Sequence, residues 1–306
     1  MKILLMSDVH LRTSPTRNRI DNFLETQFNK LEWCFELAKK ENCELFLQGG
    51  DLFDSPRASD DLKRRLQTLL RKYRINFCCI FGQHDIYHHR NDLSNTPLGV
   101  VESSGLISIL SDTPAVFGDV NIYGASWDQP IPPIQNKDAF NVLVIHKMVI
   151  QNEEDKIWHG QQNYSTARIL LAKNDYDLIL SADNHHHFTD TYNNKTLLNL
   201  GSMTRLTSAQ MEHKPQVAIL DTSKNEYKIY YIPIKPAEEV FNIEQIEKNR
   251  ETGEINDKIR EYVDLLGGNS EMREWDFVKN LDEFMKSRNI KPSVVEIIRQ
   301  ALNSDE

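Results

Sequence analysis

The sequence predicts an α/β protein in which two packed, mixed β-sheets are flanked by helices. Short apolar runs recur along the first 235 residues, and such runs are typical of strands that are buried on both faces. Amphipathic segments with helical spacing separate the early runs, whereas the later runs follow one another closely, as antiparallel strands do. Beyond residue 235 the segments become acidic and helical. We therefore expect one domain at 1–235 and a small helical appendage at 236–306.

The individual elements follow from the same patterns. An apolar stripe predicts the first helix, through Leu24, Phe28, Leu31, Phe35 and Ala38. Similar spacing predicts helices at 59–73 and 167–173. Short strands are expected between 107 and 128, and three more at 196–199, 216–221 and 227–233. Three helices are expected in the appendage, at 254–266, 274–287 and 293–302.

Composition is that of an ordinary globular protein. The chain has 306 residues, of which 40% are hydrophobic and 26% are charged, enough for one large core. No apolar run approaches the roughly 20 residues that cross a membrane, and the first residues enter a strand at once, so we expect no signal peptide and a cytoplasmic location. The four cysteines favour buried free thiols. The net charge of -9 neither supports nor excludes DNA as a partner.

Potential metal ligands directly follow five of the predicted strands. They are Asp8 with His10, then Asp51, then Gln83 in the block that also holds His84 and Asp85, then His146, and finally Asp183 with His185. Open α/β sheets build their sites at the carboxyl ends of strands. One block alone is weak, because a lone histidine after a strand is more often a hydrogen-bonded core residue. Five such blocks in one domain supply enough ligands for two metal ions.

The ordered set of motifs resembles the calcineurin-like metallophosphoesterase superfamily over residues 1 to about 235. The order is Asp-x-His, Gly-Asp, Gly-x-His-Asp, His and x-x-His. Within that superfamily the chain is similar to the SbcD-type double-strand-break repair nucleases, in the shorter version that phages encode. The segments that carry this similarity are 50–54, 82–85, 181–185 and 199–205. The resemblance implies the metallophosphoesterase fold and, for a phage-encoded chain, action in the host cytoplasm.

The same resemblance implies a centre with two divalent metal ions. The first ion would be held by Asp8, His10 and His185, the second by Gln83, His146 and Asp183, and both by a bridging carboxylate from Asp51. Two such ions clamp a phosphodiester and activate a hydroxide for in-line attack.

We make further predictions for four residues expected near the second ion. His84 would protonate or stabilise the leaving oxygen, and Asp85 would fix its orientation. Gln83 stands where asparagine is usual, and Asp183 stands where most members have histidine. Because a carboxylate is a harder ligand than an imidazole, Asp183 predicts that Mn²⁺ is preferred, with Mg²⁺ possible and Zn²⁺ disfavoured.

The leading interpretation is a metal-dependent DNA nuclease, acting as exonuclease or endonuclease in an SbcCD-like recombination and repair complex. Its partners would be DNA, an SbcC-like coiled-coil ATPase and a second copy of the chain. The resemblance places the dimer contacts at about 59–73 and 96–104, and the ATPase contacts in the tail helices. The candidate DNA contacts are Arg12, Arg17, His88, His89, Arg90 and Arg205.

Two alternatives stay open. One is a phosphodiesterase or phosphatase that acts on a small molecule, a nucleotide or a phosphoprotein. The other is a non-catalytic scaffold that has the same fold and no metals. Activity on DNA beside activity on a generic small phosphodiester would separate these interpretations.

Overall fold

A computed structural model describes residues 1–16, 18–87, 93–155 and 164–248, together with residue 295. In chain order the strands are β1 (Lys2–Met6), β2 (Leu45–Gln48), β3 (Asn76–Cys79), β4 (Ser108–Ile109), β5 (Ala115–Phe117), β6 (Val120–Ala125), β7 (Phe140–His146), β8 (Val149–Ile150), β9 (Ser165–Thr166), β10 (Leu178–Ala182), β11 (Phe188–Tyr192), β12 (Lys195–Asn199), β13 (Gln216–Asp221) and β14 (Glu226–Tyr231). The helices are α1 (Phe23–Lys40), α2 (Asp60–Tyr73), α3 (Pro97–Ser103), α4 (Ala167–Lys173) and α5 (Ala237–Val240).

The strands form two six-stranded mixed sheets and one small parallel pair. The first sheet has the order β14-β13-β1-β2-β3-β4, and the second has the order β11-β12-β10-β7-β6-β5. The inner strands β1, β2 and β3 are parallel, as are β12, β10, β7 and β6. Antiparallel strands complete both edges of the second sheet and one side of the first, whose other edge strand, β4, is parallel to β3. The predicted fold class is therefore confirmed.

Alternation along the central strands divides the core into layers. In β1, Ile3 and Leu5 belong to the layer between the two sheets, whereas Leu4 and Met6 face the layer beneath α1 and α2, because successive side chains of a strand point to opposite faces. The outer face of the second sheet is covered by α4 through residues such as Leu171. Strands buried on both faces explain why the sequence showed continuous apolar runs.

The two long helices begin at side-chain caps. Asn22 accepts a hydrogen bond from the backbone of Glu25, and Ser59 accepts one from the backbone of Leu62, which satisfies backbone donors that a helix start leaves free. The helix α2 ends at Arg74, which adopts a left-handed backbone conformation with φ of 51°. All five apolar positions of the α2 stripe are buried against the first sheet: Leu62, Leu66, Leu69, Leu70 and Tyr73.

Several of the predicted elements and the predicted state of the cysteines agree with the structure, and others do not. The helix predicted at 167–173 and the strand predicted at 216–221 have the observed bounds. The four cysteines are buried free thiols, as predicted. The strand β11 and the pair β8–β9 were not predicted. No helix in the described ranges is long and apolar enough to cross a membrane.

The chain divides into two compact units, residues 1–246 and 247–306. The segment just beyond residue 235 belongs to the first unit, where Val240, Phe241 and Ile246 are buried. This division falls after the boundary at 235 that composition suggested. The predicted tail helices between 254 and 302 lie outside the described residues, apart from residue 295, which is helical.

We expect Phe35→Ala to lower the free energy of unfolding by about 3–5 kcal/mol, the range for deleting a buried aromatic ring. Phe35 is fully buried, and its ring centroid lies 4.9 Å from that of Phe46 and 5.3 Å from that of Tyr73. Urea denaturation measures the change. Val116→Ala is the control, because Val116 is 63% exposed and its truncation should cost less than about 0.5 kcal/mol. Similar losses in both variants would contradict this packing account.

Candidate metal centre

The predicted ligands meet where strands of both sheets end. Asp8 and Asp51 follow β1 and β2 of the first sheet, and His146 ends β7 of the second sheet beside β10. The loops after β1 and β2 run side by side, since the backbone amides of Val9 and His10 both donate to the carbonyl oxygen of Asp51. Carboxyl ends of parallel strands thus deliver ligands from separate parts of the chain to one place.

Three of these ligands have left-handed backbone conformations. The φ angles are 54° at His10, 53° at Asp51 and 89° at Asp183. Such a conformation costs a residue with a Cβ roughly 1–2 kcal/mol, and it persists where surrounding contacts hold it, often at functional sites.

Three overlapping groups of side chains could each hold a cation, their donor atoms lying within 4.8 Å of one another. The first group is Asp8, His10 and His185, the second is Asp8, Asp51 and His146, and the third is His10, Asp51 and His84. The first group is the set expected for one metal. Asp51 belongs to the other two groups and therefore lies at the centre of the cluster.

His146 is oriented so that one ring nitrogen faces Asp51. Its Nδ1 donates to the carbonyl oxygen of Gly49 at 2.9 Å, because a carbonyl can only accept, so Nε2 is the ring nitrogen that faces Asp51. That Nε2 lies 3.4 Å from Asp51 Oδ2. A hydrogen bond that fixes the second nitrogen is the usual support for a metal-binding histidine.

Two glycines make this crowding possible. A Cβ on Gly50 would lie 2.7 Å from His146 Nδ1, and the backbone of Gly50 is left-handed with φ of 96°. A Cβ on Gly82 would collide with the carboxylate and backbone of Asp51. The glycines in the two motifs therefore let the neighbouring backbones approach the central carboxylate.

His10 and His185 face each other through their Nε2 atoms, which are 3.0 Å apart. Burial acts to lower the pKa of His10, but Asp54, Asp51 and Asp8 outweigh it and raise that pKa above 6.5. Burial and the nearby His10 lower the pKa of His185 to about 3. Two imidazole nitrogens this close together are suited to bind one cation between them.

The carboxylates show the same competition. Burial raises the pKa of Asp8 to about 7, although His146 and His10 act to lower it. Burial also acts to raise the pKa of Asp51, but its close contact with His146 and the imidazole charges hold that pKa at about 2. The same contact and charge raise the pKa of His146 to about 10 against burial. The surroundings of Asp51 thus favour positive charge beside its carboxylate.

Gln83 and Asp183 lie together at one side of the cluster. Gln83 Nε2 donates to Asp183 Oδ1 at 2.7 Å, and the backbone amide of Asp183 donates to the Asp8 carboxylate at 3.1 Å. The amide oxygen of Gln83 is left pointing into the protein. Asp183 is outside the three groups that could hold a cation, although it adjoins Asp8.

The residues present fit divalent metal ions. Asp51 Oδ2, Gln83 Oε1 and His146 Nε2 are buried and make no hydrogen bond within the described part of the chain. Leaving buried polar atoms unpaired costs about 1–3 kcal/mol each, and two of these atoms, Asp51 Oδ2 and His146 Nε2, lie 3.4 Å apart, where one cation would pair with both. Carboxylate, amide and imidazole donors together suit Mn²⁺, Mg²⁺ or Zn²⁺.

The model of the calcineurin-like phosphoesterase family matches residues 1–201. The chain belongs to this family. The predicted resemblance is thereby confirmed at the level of the family.

Individual relatives are more distant. The chain is 22% identical to the double-strand break repair protein MRE11 of Encephalitozoon cuniculi (strain GB-M1), over 87% of this chain and 53% of that protein. It therefore spans about half the length of this curated relative. Among solved structures, a novel archaeal phosphodiesterase is 16% identical over 76% of this chain and 99% of its own, with a TM-score of 0.42. Zinc-complexed Vps29 of Entamoeba histolytica is 14% identical over 76% and 91%, with a TM-score of 0.36.

The structure corrects the role expected for Asp85. Its buried carboxylate accepts hydrogen bonds from the backbone amides of Leu52, Phe53 and Gly82, so it holds the loop that follows Asp51. His84 is oriented elsewhere: its Nδ1 lies 3.1 Å from the carbonyl oxygen of Asp54. Asp85 is therefore a structural residue of the phosphoesterase site.

Arg205, expected to contact DNA, is also corrected. Its side chain is buried, and its guanidinium donates to the carbonyl oxygens of Met211 and Lys235 and lies over the ring of Phe241. Arg19 NH1 in turn donates to the carbonyl oxygen of Arg205. With its donors used on backbone carbonyls, Arg205 attaches the segment after residue 235 to the phosphoesterase domain.

Of the remaining candidate DNA contacts, one lies in the described part of the chain and four do not. Arg12 lies beside the metal centre, where it pairs with Asp54 at 2.9 Å and donates to the carbonyl oxygen of Ser14 at 2.8 Å. The other four lie outside the described residues: Arg17, His88, His89 and Arg90.

Sequence reasoning missed the polar residues that hold the ligand loops. Gln48 donates to the carbonyl oxygens of Ser7 and Gly50. Asn199 donates to the carbonyl oxygens of Asn184 and His186. The signal was present in the sequence, since both are amide side chains that end a strand directly after buried apolar residues.

We expect His213 to make stability fall as the pH drops. Burial is the main cause that lowers the pKa of this ring to about 4, and its Nε2 donates to the carbonyl oxygen of Ser202 at 2.7 Å. Between the unfolded value near 6.5 and the folded value the unfolded chain binds more protons, so stability is lost as pH falls from about 6.5 to 4, on the order of 3 kcal/mol.

Urea denaturation across this pH range should show a shallower slope for His213→Gln than for the natural chain. His186→Gln is the matched control, because His186 is exposed. An unchanged slope in His213→Gln would show that this histidine is not the titrating group.

Proposed function

We propose that this chain is a metal-dependent DNA nuclease that hydrolyses phosphodiester bonds with two divalent ions. The observation that supports it is the buried cluster around Asp51, whose unpartnered donor atoms converge from both sheets. A scaffold without metals would leave those atoms unsatisfied, which disfavours the non-catalytic alternative.

In this proposal one ion is held by Asp8, His10 and His185, and Asp51 is shared with a second ion held by His146 and the amide oxygen of Gln83. Asp183 adjoins that second position through its bond to Gln83. The bound ions would supply an activated water at neutral pH and would neutralise the phosphate. Manganese is the proposed ion, with magnesium as the weaker substitute.

His84 is the proposed acid. It is exposed at the edge of the cluster, and its backbone amide donates to Asp51 Oδ1 at 2.8 Å. Because its Nδ1 faces the carbonyl oxygen of Asp54, that nitrogen carries hydrogen, and Nε2 is the nitrogen left for the substrate. In the protonated ring Nε2 can give its proton to the oxygen that leaves the phosphorus.

DNA is the proposed substrate because of the similarity to a double-strand break repair protein along 87% of the chain. Arg12 at the rim of the site could reach a neighbouring phosphate only if it releases Asp54. A phosphodiesterase or phosphatase acting on small molecules uses the same chemistry, so the substrate separates the two functions.

A coiled-coil ATPase and a second copy of the chain are the proposed partners. The apolar stripe of α2 packs inside the protomer, so it does not supply the expected dimer surface. On α3, Val100 is 38% exposed and is the apolar contact that remains for a dimer. The ATPase would bind the tail beyond residue 247, and the place of action would be the cytoplasm, including that of a phage-infected host.

The metal preference should depend on Asp183. We expect activity to be highest with Mn²⁺, weaker with Mg²⁺ and poor with Zn²⁺, and we expect Asp183→His to shift the order toward Zn²⁺, because imidazole is the softer ligand. Titration of activity and of metal content with each ion measures this. Asp190→His serves as a control on the neighbouring strand β11. An unchanged order in Asp183→His would rule out this residue as the source of the preference.

Nuclease activity itself is tested on linear duplex and single-stranded DNA with Mn²⁺, beside bis(p-nitrophenyl) phosphate. We expect DNA cleavage that falls on the order of 10²–10⁴-fold in His84→Ala, the usual contribution of a general acid, with metal content and folding unchanged. Asp51→Asn should lose both activity and metal. Hydrolysis of the small diester without any cleavage of DNA would favour the small-molecule alternative.

A further inference from the structure

Asp54 contacts both histidines whose orientation matters for the proposed chemistry. Its carboxylate oxygen Oδ1 lies 3.4 Å from His10 Nδ1, and its backbone carbonyl oxygen lies 3.1 Å from His84 Nδ1. The two rings are themselves neighbours, with centroids 4.9 Å apart and planes at 82°. One residue thus faces the outer nitrogen of a proposed metal ligand and of the proposed acid.

Asp54 is fixed in turn by contacts on its other sides. Its second carboxylate oxygen pairs with Arg12 NH1 at 2.9 Å, and its backbone amide donates to the carbonyl oxygen of Leu11 at 3.1 Å. The Nε of Arg12 is held by the carbonyl oxygen of Ser14. The side chain of Asp54 is 21% exposed, so solvent screens this ion pair only in part.

We propose that Asp54 is a positioning residue, which Arg12 holds in place and which orients His10 through its carboxylate and His84 through its carbonyl oxygen. The proposal rests on the metal-dependent function proposed above for what the two rings then do. A carboxylate at Nδ1 places hydrogen on that atom, so the lone pair of His10 lies on Nε2, toward His185 and Asp51. Arg12 accordingly acts on the residue behind the histidines and not on DNA directly.

The arrangement also links the two halves of the site. His10 belongs to the proposed first metal, whereas His84 follows β3 and faces the leaving group. Since both histidines face the same residue, a displacement of Asp54 changes metal affinity and proton delivery together. Replacing a residue that only stabilised the loop would lower the stability of the whole domain, with no specific loss of metal affinity or of proton delivery.

The first test is metal binding, measured by calorimetric titration of Mn²⁺ into Asp54→Ala, Asp54→Asn and the natural chain. Loss of a carboxylate behind a metal-binding histidine usually weakens affinity about 10–100-fold, and we expect this for Asp54→Ala. Asp54→Asn should lie between, because an amide oxygen accepts from Nδ1 without charge, and Arg12→Ala should weaken binding less than Asp54→Ala. Unchanged Mn²⁺ affinity in Asp54→Ala would overturn the proposal. This readout needs no catalysis, so it stands even if the chain cleaves no DNA.

The second test separates the two histidines at saturating Mn²⁺. In Asp54→Ala we expect kcat to fall for DNA, whose leaving oxygen needs a proton, and to change little for bis(p-nitrophenyl) phosphate, whose leaving group departs without one. Equal losses on both substrates would overturn the link to His84. Asp60→Ala is the matched control, because Asp60 is 99% exposed and pairs with Lys63 on its own helix. If Asp54→Ala does not fold by circular dichroism, the comparison of Asp54→Asn with Arg12→Ala decides both points.

Discussion

The buried carboxylate of Asp51 is the constraint on which the site depends. Its charge is kept in the protein interior by imidazoles, above all by His146. No Cβ fits at Gly82, which lies against Asp51, or at Gly50, which lies against His146. The buried carboxylate of Asp85 accepts hydrogen bonds from the backbone amides of the same loop. The polypeptide is thus shaped around one negative charge, and the strained backbone at Asp51 itself is held by that packing.

Much of this could be read from the residues, because buried parallel strands leave continuous apolar runs and the ligands follow them directly. The helix α4 and the strand β13 have no competing pattern, and their predicted bounds agree with the observed ones. The strand β11 was missed because Thr189, Asp190 and Thr191 are polar. Its turn did carry a signal, since Asn193 and Asn194 both have left-handed backbones, the conformation that asparagine tolerates best in tight hairpins.

Sequence patterns predicted which residues form the site better than they predicted which atoms those residues contact. Asp-x-His and Gly-Asp motifs identify which side chains are available, but not what each one touches. Asp85 was expected to fix the orientation of His84, and Arg205 was expected to contact DNA. Both side chains instead hydrogen-bond to backbone groups. These contacts depend on how distant segments pack, which a local sequence pattern does not predict. Asp54, by contrast, attracted no role until its two histidines were seen together.

The convergence of ligands from two sheets has a mechanical consequence. Asp8, Asp51 and Gln83 extend from the first sheet, and His146 and His185 extend from the second. Cations bound among them would cross-link two layers that hydrogen bonds, such as those from His146 to Gly49 and from Asp183 to Asp8, already join at this end. Removing the metals with a chelator would then abolish activity and also remove these cross-links between the sheets. The ligand loops would become the part of the domain that opens first.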